Sequence, residues 1–292
     1  MTWFILALSS AILSAAASLG EKKILFKLNP IQFSFLLSLF TLLFSIPFFF
    51  SGTFVQPDTT SLTILFFKTL LSSFAFLFVM YSIKNLEISE ALPLLVLTPG
   101  FVAVFAFIFI GESLTYQEIF GVVLLLVGTY VLETESGRSF FGPFKIFFQS
   151  KNYRFVITAL LLFTVTSILD KVLVGKYKVT PHTFMAFQHV FMAVIFLITF
   201  LFLKKSSQSE KTSVNKSAIL LIILIAVITI GYRYTQIEAV KIAPVALVLS
   251  VKRISVFFAT LIGGKIFNEK NLLKKAIATA IMVAGALLIL DE

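Results

Sequence analysis

The most constraining feature of the sequence is a series of apolar runs, each close to the ~20 residues that an α-helix needs to cross a hydrocarbon core about 30 Å thick. With 59% hydrophobic residues and a mean hydropathy of +1.02, the chain carries more apolar surface than one soluble core could bury. The first run lacks a basic flank, so we predict a helix there rather than a signal peptide. The predicted helices are 3–21, 31–50, 62–82, 90–110, 116–133, 154–175, 182–203, 217–238, 242–263 and 271–290. The prediction is an all-α, polytopic membrane protein with ten transmembrane helices, placed in the cell membrane.

Several classes of function lack their sequence signatures. The chain contains no Cys, which excludes disulfides and thiolate metal sites. Its formal net charge of +10 comes without a basic patch interleaved with aromatic residues, so we expect no nucleic-acid partner. We find no HExxH, no GxSxG and no nucleotide-binding loop, and the two His residues lack a third metal ligand. We therefore expect no enzyme activity, no metal and no cofactor.

Matched landmarks indicate that the chain contains a duplication. "SLGEKK" from Ser18 precedes Pro30, and "SILDKV" from Ser167 precedes Pro181, so a Ser, an acid and a Lys recur at the same spacing. Glu112 precedes Gly128 by sixteen residues, and Glu269 precedes Gly285 by sixteen. These landmarks predict a first five-helix repeat at 1–135, an interfacial linker at 136–153 that contains "FFGPFKIFF", and a second repeat at 154–292.

Five helices is an odd number, so the second repeat enters the membrane from the opposite side. The predicted arrangement is an inverted repeat, with the halves related by a rotation about an axis in the membrane plane. In transporters this arrangement lets a central site open alternately to the two faces.

"GESLTYQEIFGVVLLLVGTYVL" and its second copy "NEKNLLKKAIATAIMVAGALLIL" resemble the EamA family of the drug/metabolite transporter superfamily. The second copy departs from the pattern at Asn268, where Gly is usual, and at Ala278, which corresponds to Gly121. The resemblance covers nearly the whole chain. It implies a ten-helix secondary transporter of small metabolites that needs no cofactor and has its substrate cavity between the two halves.

The strongest candidate site is the pair Lys252 and Arg253, near the middle of the ninth predicted helix. A charged side chain at the centre of a membrane helix costs at least ~2.5–3.5 kcal/mol, so both should face a wet cavity or an anionic partner. Substrate contact is one reading, and a buried ion pair with an acid on a neighbouring helix, for instance Glu90 or Glu238, is the other. The pair is also similar to the Lys-Arg pair that binds phosphate in the plastid triose-phosphate translocators.

The fourth predicted helix contains "EALPLLVLTPGF", in which Pro93 and then Thr98, Pro99 and Gly100 interrupt an apolar run. Proline removes a helical hydrogen bond, and freed carbonyls are tolerated at membrane depth where a cavity or a neighbour satisfies them. Interrupted helices commonly line the site of inverted-repeat carriers. We therefore expect the fourth and ninth helices to build the cavity, the alternative being a kink that serves packing alone.

Four further polar side chains are candidates with an open alternative. Arg233 and Tyr234, in "GYRYTQIEA", form either a wall of the cavity or an interfacial anchor. Lys68, within the third helix, has the same two readings. His189 is either a protonation switch in a proton-coupled carrier or a hydrogen-bonded packing residue.

Lys22 and Lys171 occupy equivalent positions in the two repeats and either contact substrate or extend to the headgroups. Glu21 and Asp170 precede them directly. Because adjacent residues on a helix do not face each other, the partners of these acids must come from other helices.

The predicted function is secondary transport, as an exporter or exchanger, of small anionic or zwitterionic metabolites such as amino acids or phosphorylated compounds. The expected partners are the small-molecule substrate, the lipid bilayer and, through His189, protons; the expected oligomer is a monomer or a homodimer. The alternatives are a lipid-carrier flippase, which requires a lateral portal between helices, and a non-transporting scaffold subunit.

The first testable prediction concerns orientation. Most Lys and Arg near helix ends follow the odd-numbered helices, and the positive-inside rule places these connections in the cytoplasm and both termini outside. The family resemblance implies that both termini are inside. A reporter active only in the cytoplasm, fused after Glu292, should stay silent if the charge distribution decides. A cytoplasmic signal would overturn the charge argument.

Overall fold

The computed structural model describes residues 2–110, 115–133, 150–204 and 215–288, which form helices and, within these ranges, no strand. The helices of the first half are α1 Thr2–Leu25, α2 Pro30–Phe49, α3 Thr59–Asn85, α4 Ile88–Leu94, α5 Thr98–Ile110 and α6 Tyr116–Glu133. Those of the second half are α7 Lys151–Gly175, α8 Pro181–Lys204, α9 Lys216–Ile242, α10 Val245–Lys252, α11 Ile254–Ile266 and α12 Leu272–Leu288.

Within the described ranges, eight helical segments are long and apolar enough to cross a membrane, where α4–α5 and α10–α11 each count as one segment. The prediction of an all-α polytopic membrane protein is confirmed. Helices α6 and α12 coincide with the fifth and tenth predicted spans but do not belong to these eight, so the count of ten spans stays a prediction. The segment "FFGPFKIFF" and Glu112 lie outside the described residues.

Polar caps begin several helices. The side chain of Asn29 accepts a hydrogen bond from the Gln32 backbone N–H at 2.8 Å, and Pro30 occupies the first helical position of α2. Asp58 caps α3 in the same way. The hydroxyl of Ser61 donates to the Asp58 carboxylate, and this hydrogen bond lowers the pKa of Asp58 from its ordinary value.

The fourth and ninth spans are both interrupted after a short first helix. A 3₁₀ turn, Leu95–Leu97, follows the seven residues of α4, and Arg253 separates the eight residues of α10 from α11. Pro99 follows this turn and cannot donate the helical hydrogen bond to the Leu95 carbonyl, which instead accepts one from the Thr98 hydroxyl at 2.7 Å. The ninth span has no proline at its break. Because the first helices have seven and eight residues, the two interruptions occupy corresponding places in the two halves.

The helices of the two halves pack against each other in a pattern that is unchanged when the halves are exchanged. Helix α1 packs along α9 and α3 along α7, while α2 packs against α8 and α6 against α12. The last contact is close, because a Cβ atom at Gly128 would lie 3.1 Å from the carbonyl oxygen of Ala278. This pairing fits a two-repeat architecture.

Two lysines cap helix C-termini at matching places. The Lys22 ammonium donates to the Ile83 and Leu86 carbonyls, at 2.5 and 2.7 Å, where α3 ends. Lys171 donates to the carbonyls of Val240 and Ala243, at 3.0 and 2.8 Å, where α9 ends. The last carbonyls of a helix have no intrahelical donor, and a cation also complements the negative end of the helix dipole.

Glu269, between α11 and α12, caps the start of α4. Its carboxylate accepts hydrogen bonds from the backbone N–H groups of Ile88 and Ser89, at 2.7 and 3.0 Å, and from the Ser89 hydroxyl. Beside it, Lys275 pairs with Glu90 at 3.0 Å and with Glu87. These contacts join the two halves at one end of the bundle.

The second prediction tests the lysine caps. Lys22→Met keeps most of the apolar stem but leaves two carbonyls without their charged donor, so the free energy of unfolding should fall by about 1.5–3 kcal/mol. Denaturant or thermal unfolding in detergent micelles measures this loss. The control is Lys23→Met, since Lys23 is the exposed neighbour and should change stability by no more than about 0.5 kcal/mol. Equal losses in the two variants would contradict the capping role.

Candidate functional site

A cavity of about 190 Å³ lies between the two halves. The interrupted spans contribute Leu92 and Leu95 from one half and Lys252 and Arg253 from the other. The remaining walls come from α1, α2, α3, α7, α8 and α9. The expected construction of the cavity around the fourth and ninth spans agrees with this placement.

A cluster of charges around Asp170 occupies one wall of the cavity. One carboxylate oxygen of Asp170 lies 2.9 Å from the Lys68 ammonium, and the other accepts a hydrogen bond from Arg233 Nη2 at 2.7 Å. The Gln188 side-chain oxygen accepts from Lys68 at 2.6 Å and from Arg233 at 3.1 Å. Both cations lie over the ring of Phe184. Asp170 and Lys68 are 2% and 1% exposed, so this is a buried ion network.

The two cations of the ninth span have only neutral contacts among the described residues. Lys252 donates to the Gln236 side-chain oxygen at 2.5 Å, and its ammonium lies 4.9 Å from the centre of the Tyr232 ring. Arg253 Nε is buried without a hydrogen-bond partner. Within the part of the chain that the structure describes, neither residue has a carboxylate within the 4.0 Å of an ion pair.

The ion pairs considered from the sequence as an alternative are not formed. Glu90 pairs with Lys275 at 3.0 Å, and among the described residues neither Glu90 nor Glu238 lies within 4.0 Å of the charged group of Lys252 or Arg253. The ion pairs of Lys252 or Arg253 with Glu90 or Glu238 that were considered from the sequence are therefore absent from the described residues.

Glu21 is a buried carboxylate that also faces the cavity. Among the described residues it has no hydrogen bond and no ion pair within 4.0 Å, although Lys252 is near enough to act on it electrostatically. Its equivalent in the second repeat, Asp170, contacts two cations. The two acids at matching positions therefore have different surroundings.

The charges that line the cavity do not cancel. Counted in their ordinary ionised forms, Lys68, Arg233, Lys252 and Arg253 are four cations, and Glu21 and Asp170 are two anions. The excess is two positive charges. In surroundings of low dielectric constant such an excess attracts anions far more strongly than it does in water.

His189 also lines the cavity, on the same helix, α8, as Gln188. It is 1% exposed, and both ring nitrogens lack a hydrogen-bond partner among the described residues. The alternative of a hydrogen-bonded packing residue therefore does not describe this side chain.

The remaining candidates lie outside the cavity wall. Thr98 is buried and donates to the Leu95 carbonyl at 2.7 Å, and Pro99 and Gly100 follow it in α5. In their place, Leu92 and Leu95, one turn earlier, line the cavity.

Tyr234, Lys22 and Lys171 have other neighbours. The ring of Tyr234 stacks on Phe48, with 5.5 Å between ring centres, and contacts His182 edge-on. Lys22 and Lys171 cap helix ends, so neither the substrate contact nor the extension to the headgroups considered from the sequence describes their amino groups. None of the three belongs to the lining residues.

The comparisons with known proteins agree with the fold. The model of the EamA-like transporter family matches residues 1–134 and 151–291. No protein of the curated set matches the chain. A solved structure, titled only "Crystal structure of protein", is 17% identical, with a TM-score of 0.69 over 98% of this chain and 95% of the other. At that identity the likeness is one of fold.

The third prediction uses the contrast between the two matched acids. Asp170→Asn removes the counter-charge of the buried Lys68 and the partly buried Arg233, and breaking a buried pair from one side costs about 3–5 kcal/mol. Glu21→Gln removes a buried charge that has no ion-pair partner among the described residues, so the free energy of unfolding should stay unchanged or rise.

Unfolding of the two variants in the same detergent measures the difference. Both substitutions replace a carboxylate by an amide of nearly the same shape, so each serves as the control for the other. A loss for Glu21→Gln as large as that for Asp170→Asn would contradict the assignment of the two environments.

Proposed function

The chain belongs to the EamA-like transporter family, and from that premise we propose that it is a secondary transporter of small anionic or zwitterionic metabolites that works by alternating access. The family and the apolar helices make it an integral, multi-pass membrane protein. The cell membrane is the proposed location, and the cavity between the halves is the proposed substrate site.

The observation that carries this proposal is the placement of Lys252 and Arg253. Both line the cavity, and among the described residues neither has a carboxylate partner within ion-pair distance. Charged side chains inside a membrane protein are costly unless they pair or face water, so their retention at this depth favours a function in binding. An anionic substrate would supply the missing counter-charge.

The two residues have different parts in anion binding. Arg253 offers a planar set of donors that fits a carboxylate or phosphate with two hydrogen bonds, whereas an ammonium is a compact point charge. Because the Lys252 ammonium already donates to Gln236, we assign the directed contact with the anion to Arg253. Lys252 then adds attraction of longer range.

The mechanism of alternating access is supported by the matched interruptions of the fourth and ninth spans and by the packing of each half on the other. In inverted-repeat carriers, discontinuous helices at matching positions surround the site, and the halves rock around it. We propose that 1–135 and 154–292 are the two repeats of such a carrier, with 136–153 as the linker.

The fourth prediction tests the anion site. Purified protein in proteoliposomes is first screened for uptake of carboxylates, phosphates, amino acids and neutral sugars. For the anion that responds, Arg253→Ala should lower uptake at limiting substrate about 10- to 100-fold, which corresponds to the ~1.5–3 kcal/mol of a charged hydrogen bond. Arg253→Lys keeps the charge but loses the two-pronged contact, so it should fall between Arg253→Ala and wild type.

The matched control is Lys241→Ala, since Lys241 is exposed at the end of α9 and does not line the cavity. Uptake by this control should equal that of wild type. If Lys252→Ala and Arg253→Ala leave uptake unchanged but lower stability, the pair is structural and the proposal fails. A chain that moves none of the soluble compounds but exchanges phospholipid between leaflets would instead be a flippase.

A further inference from the structure

Three charged side chains in the cavity share one property. Glu21, Lys252 and Arg253 all line the cavity, and none of them has an oppositely charged partner within 4.0 Å in the described part of the chain. The other charges of the cavity, Lys68, Asp170 and Arg233, contact one another. The cavity thus contains one satisfied ion network and a separate set of two positive charges and one negative charge.

The unpaired acid and the unpaired cations do not satisfy each other. Lys252 acts electrostatically on Glu21, yet the distance between the two charged groups exceeds 4.0 Å, and Lys252 instead donates to Gln236. Buried charges without partners are costly. A ligand that brings an opposite charge to each of the three removes that cost when it binds.

We propose that the substrate is an amine that also carries two negative charges, such as an α-amino dicarboxylate or a phosphorylated amine. Its ammonium contacts the Glu21 carboxylate, one anionic group contacts Arg253, and Lys252, which donates to Gln236, attracts the second anionic group at longer range. This inference rests on the proposed function and specifies the chemical class of its substrate. The charges of such a ligand are the complement of the three unpaired side chains.

The structure contains an internal example of the proposed contact. At the matching position of the second repeat, the carboxylate of Asp170 binds an ammonium, that of Lys68, at 2.9 Å. We assign to the ligand's ammonium, at Glu21, the part that Lys68 has at Asp170. The 190 Å³ of the cavity lies below the ~300–1,000 Å³ of pockets for drug-sized ligands, which favours a small metabolite.

The fifth prediction compares ligands that differ only in the amine. The probes are L-glutamate with glutarate and O-phosphoethanolamine with ethyl phosphate; L-alanine is the zwitterion without a second negative charge. Binding to the purified full chain is measured by calorimetry at pH 7. In at least one pair the wild-type chain should bind the amine-bearing compound at least tenfold more tightly than its partner. L-alanine should bind at least tenfold more weakly than that amine.

The Glu21→Gln variant should abolish most of this preference. Its affinity for the amine-bearing compound should fall about tenfold or more, while its affinity for the partner without the amine should stay the same or rise. Glu238→Gln is the matched control, because Glu238 is an acid of α9 that does not line the cavity. The control should keep the wild-type preference.

Several results would overturn the inference. These are equal binding within both pairs by the wild-type chain, binding of L-alanine as tight as that of the amine-bearing dianions, and equal loss of both members of a pair in Glu21→Gln. Absence of binding for all five probes would overturn it as well. The comparison within wild type does not depend on the folding of any variant.

Failure here can be separated from failure of the transport proposal. If glutarate or ethyl phosphate binds and Arg253→Ala weakens it tenfold, the anion site stands and only the contact between Glu21 and an ammonium is wrong. If no anion in the wider uptake screen depends on Arg253, the proposed function itself fails.

Discussion

The ion network at Asp170 is the interaction on which the arrangement of the interior depends. It brings together Lys68 from α3, Asp170 from α7, Gln188 from α8 and Arg233 from α9, so one side chain of the first half and three of the second meet at one point. Because hydrocarbon cannot solvate these groups, each is tolerable only while the others hold their positions. The network thereby fixes one wall of the cavity that Glu21, Lys252 and Arg253 also line.

Helix ends carry backbone groups without intrahelical partners, and the caps that satisfy them fall into two kinds according to the half that supplies the cap. Lys22 caps α3 and Lys171 caps α9, so each lysine stays within its own half. Glu269 caps α4, and Lys275 pairs with acids of the first half, so these contacts cross between the halves. The contacts of Glu269 and Lys275 therefore hold the two halves together at one end of the bundle, whereas the lysine caps stabilise each half internally.

Sequence reasoning located the helices well, because apolar periodicity and length are local properties of a chain that crosses a membrane. It also predicted the interruption of the fourth span from Pro93, Pro99 and Gly100, since a proline beyond the first turn removes a helical hydrogen bond. It did not predict the break at Arg253, where no residue with a special backbone requirement is present and tertiary packing decides. It correctly placed Lys252 and Arg253 in a cavity. For Lys22 and Lys171 it considered contact with substrate or with lipid headgroups, but not the capping of helix ends that the structure shows. Such contacts depend on which helices face each other, and a single sequence does not contain that information.

The asymmetry of the cavity can be traced to two substitutions between the repeats. Helices α4 and α10 begin at Ile88 and Val245, which serve as matched reference points in the two halves. Counted back twenty residues from these points, Lys68 corresponds to Ile225. Counted back twelve residues, Phe76 corresponds to Arg233. The partners that neutralise Asp170 are thus replaced, at the corresponding positions around Glu21, by apolar side chains. Ile225 is buried beside Gly20, and Phe76 lines the cavity. The acid therefore has two cationic partners in one half and apolar neighbours at the corresponding positions in the other, and a carboxylate without internal partners can bind a cationic group from outside.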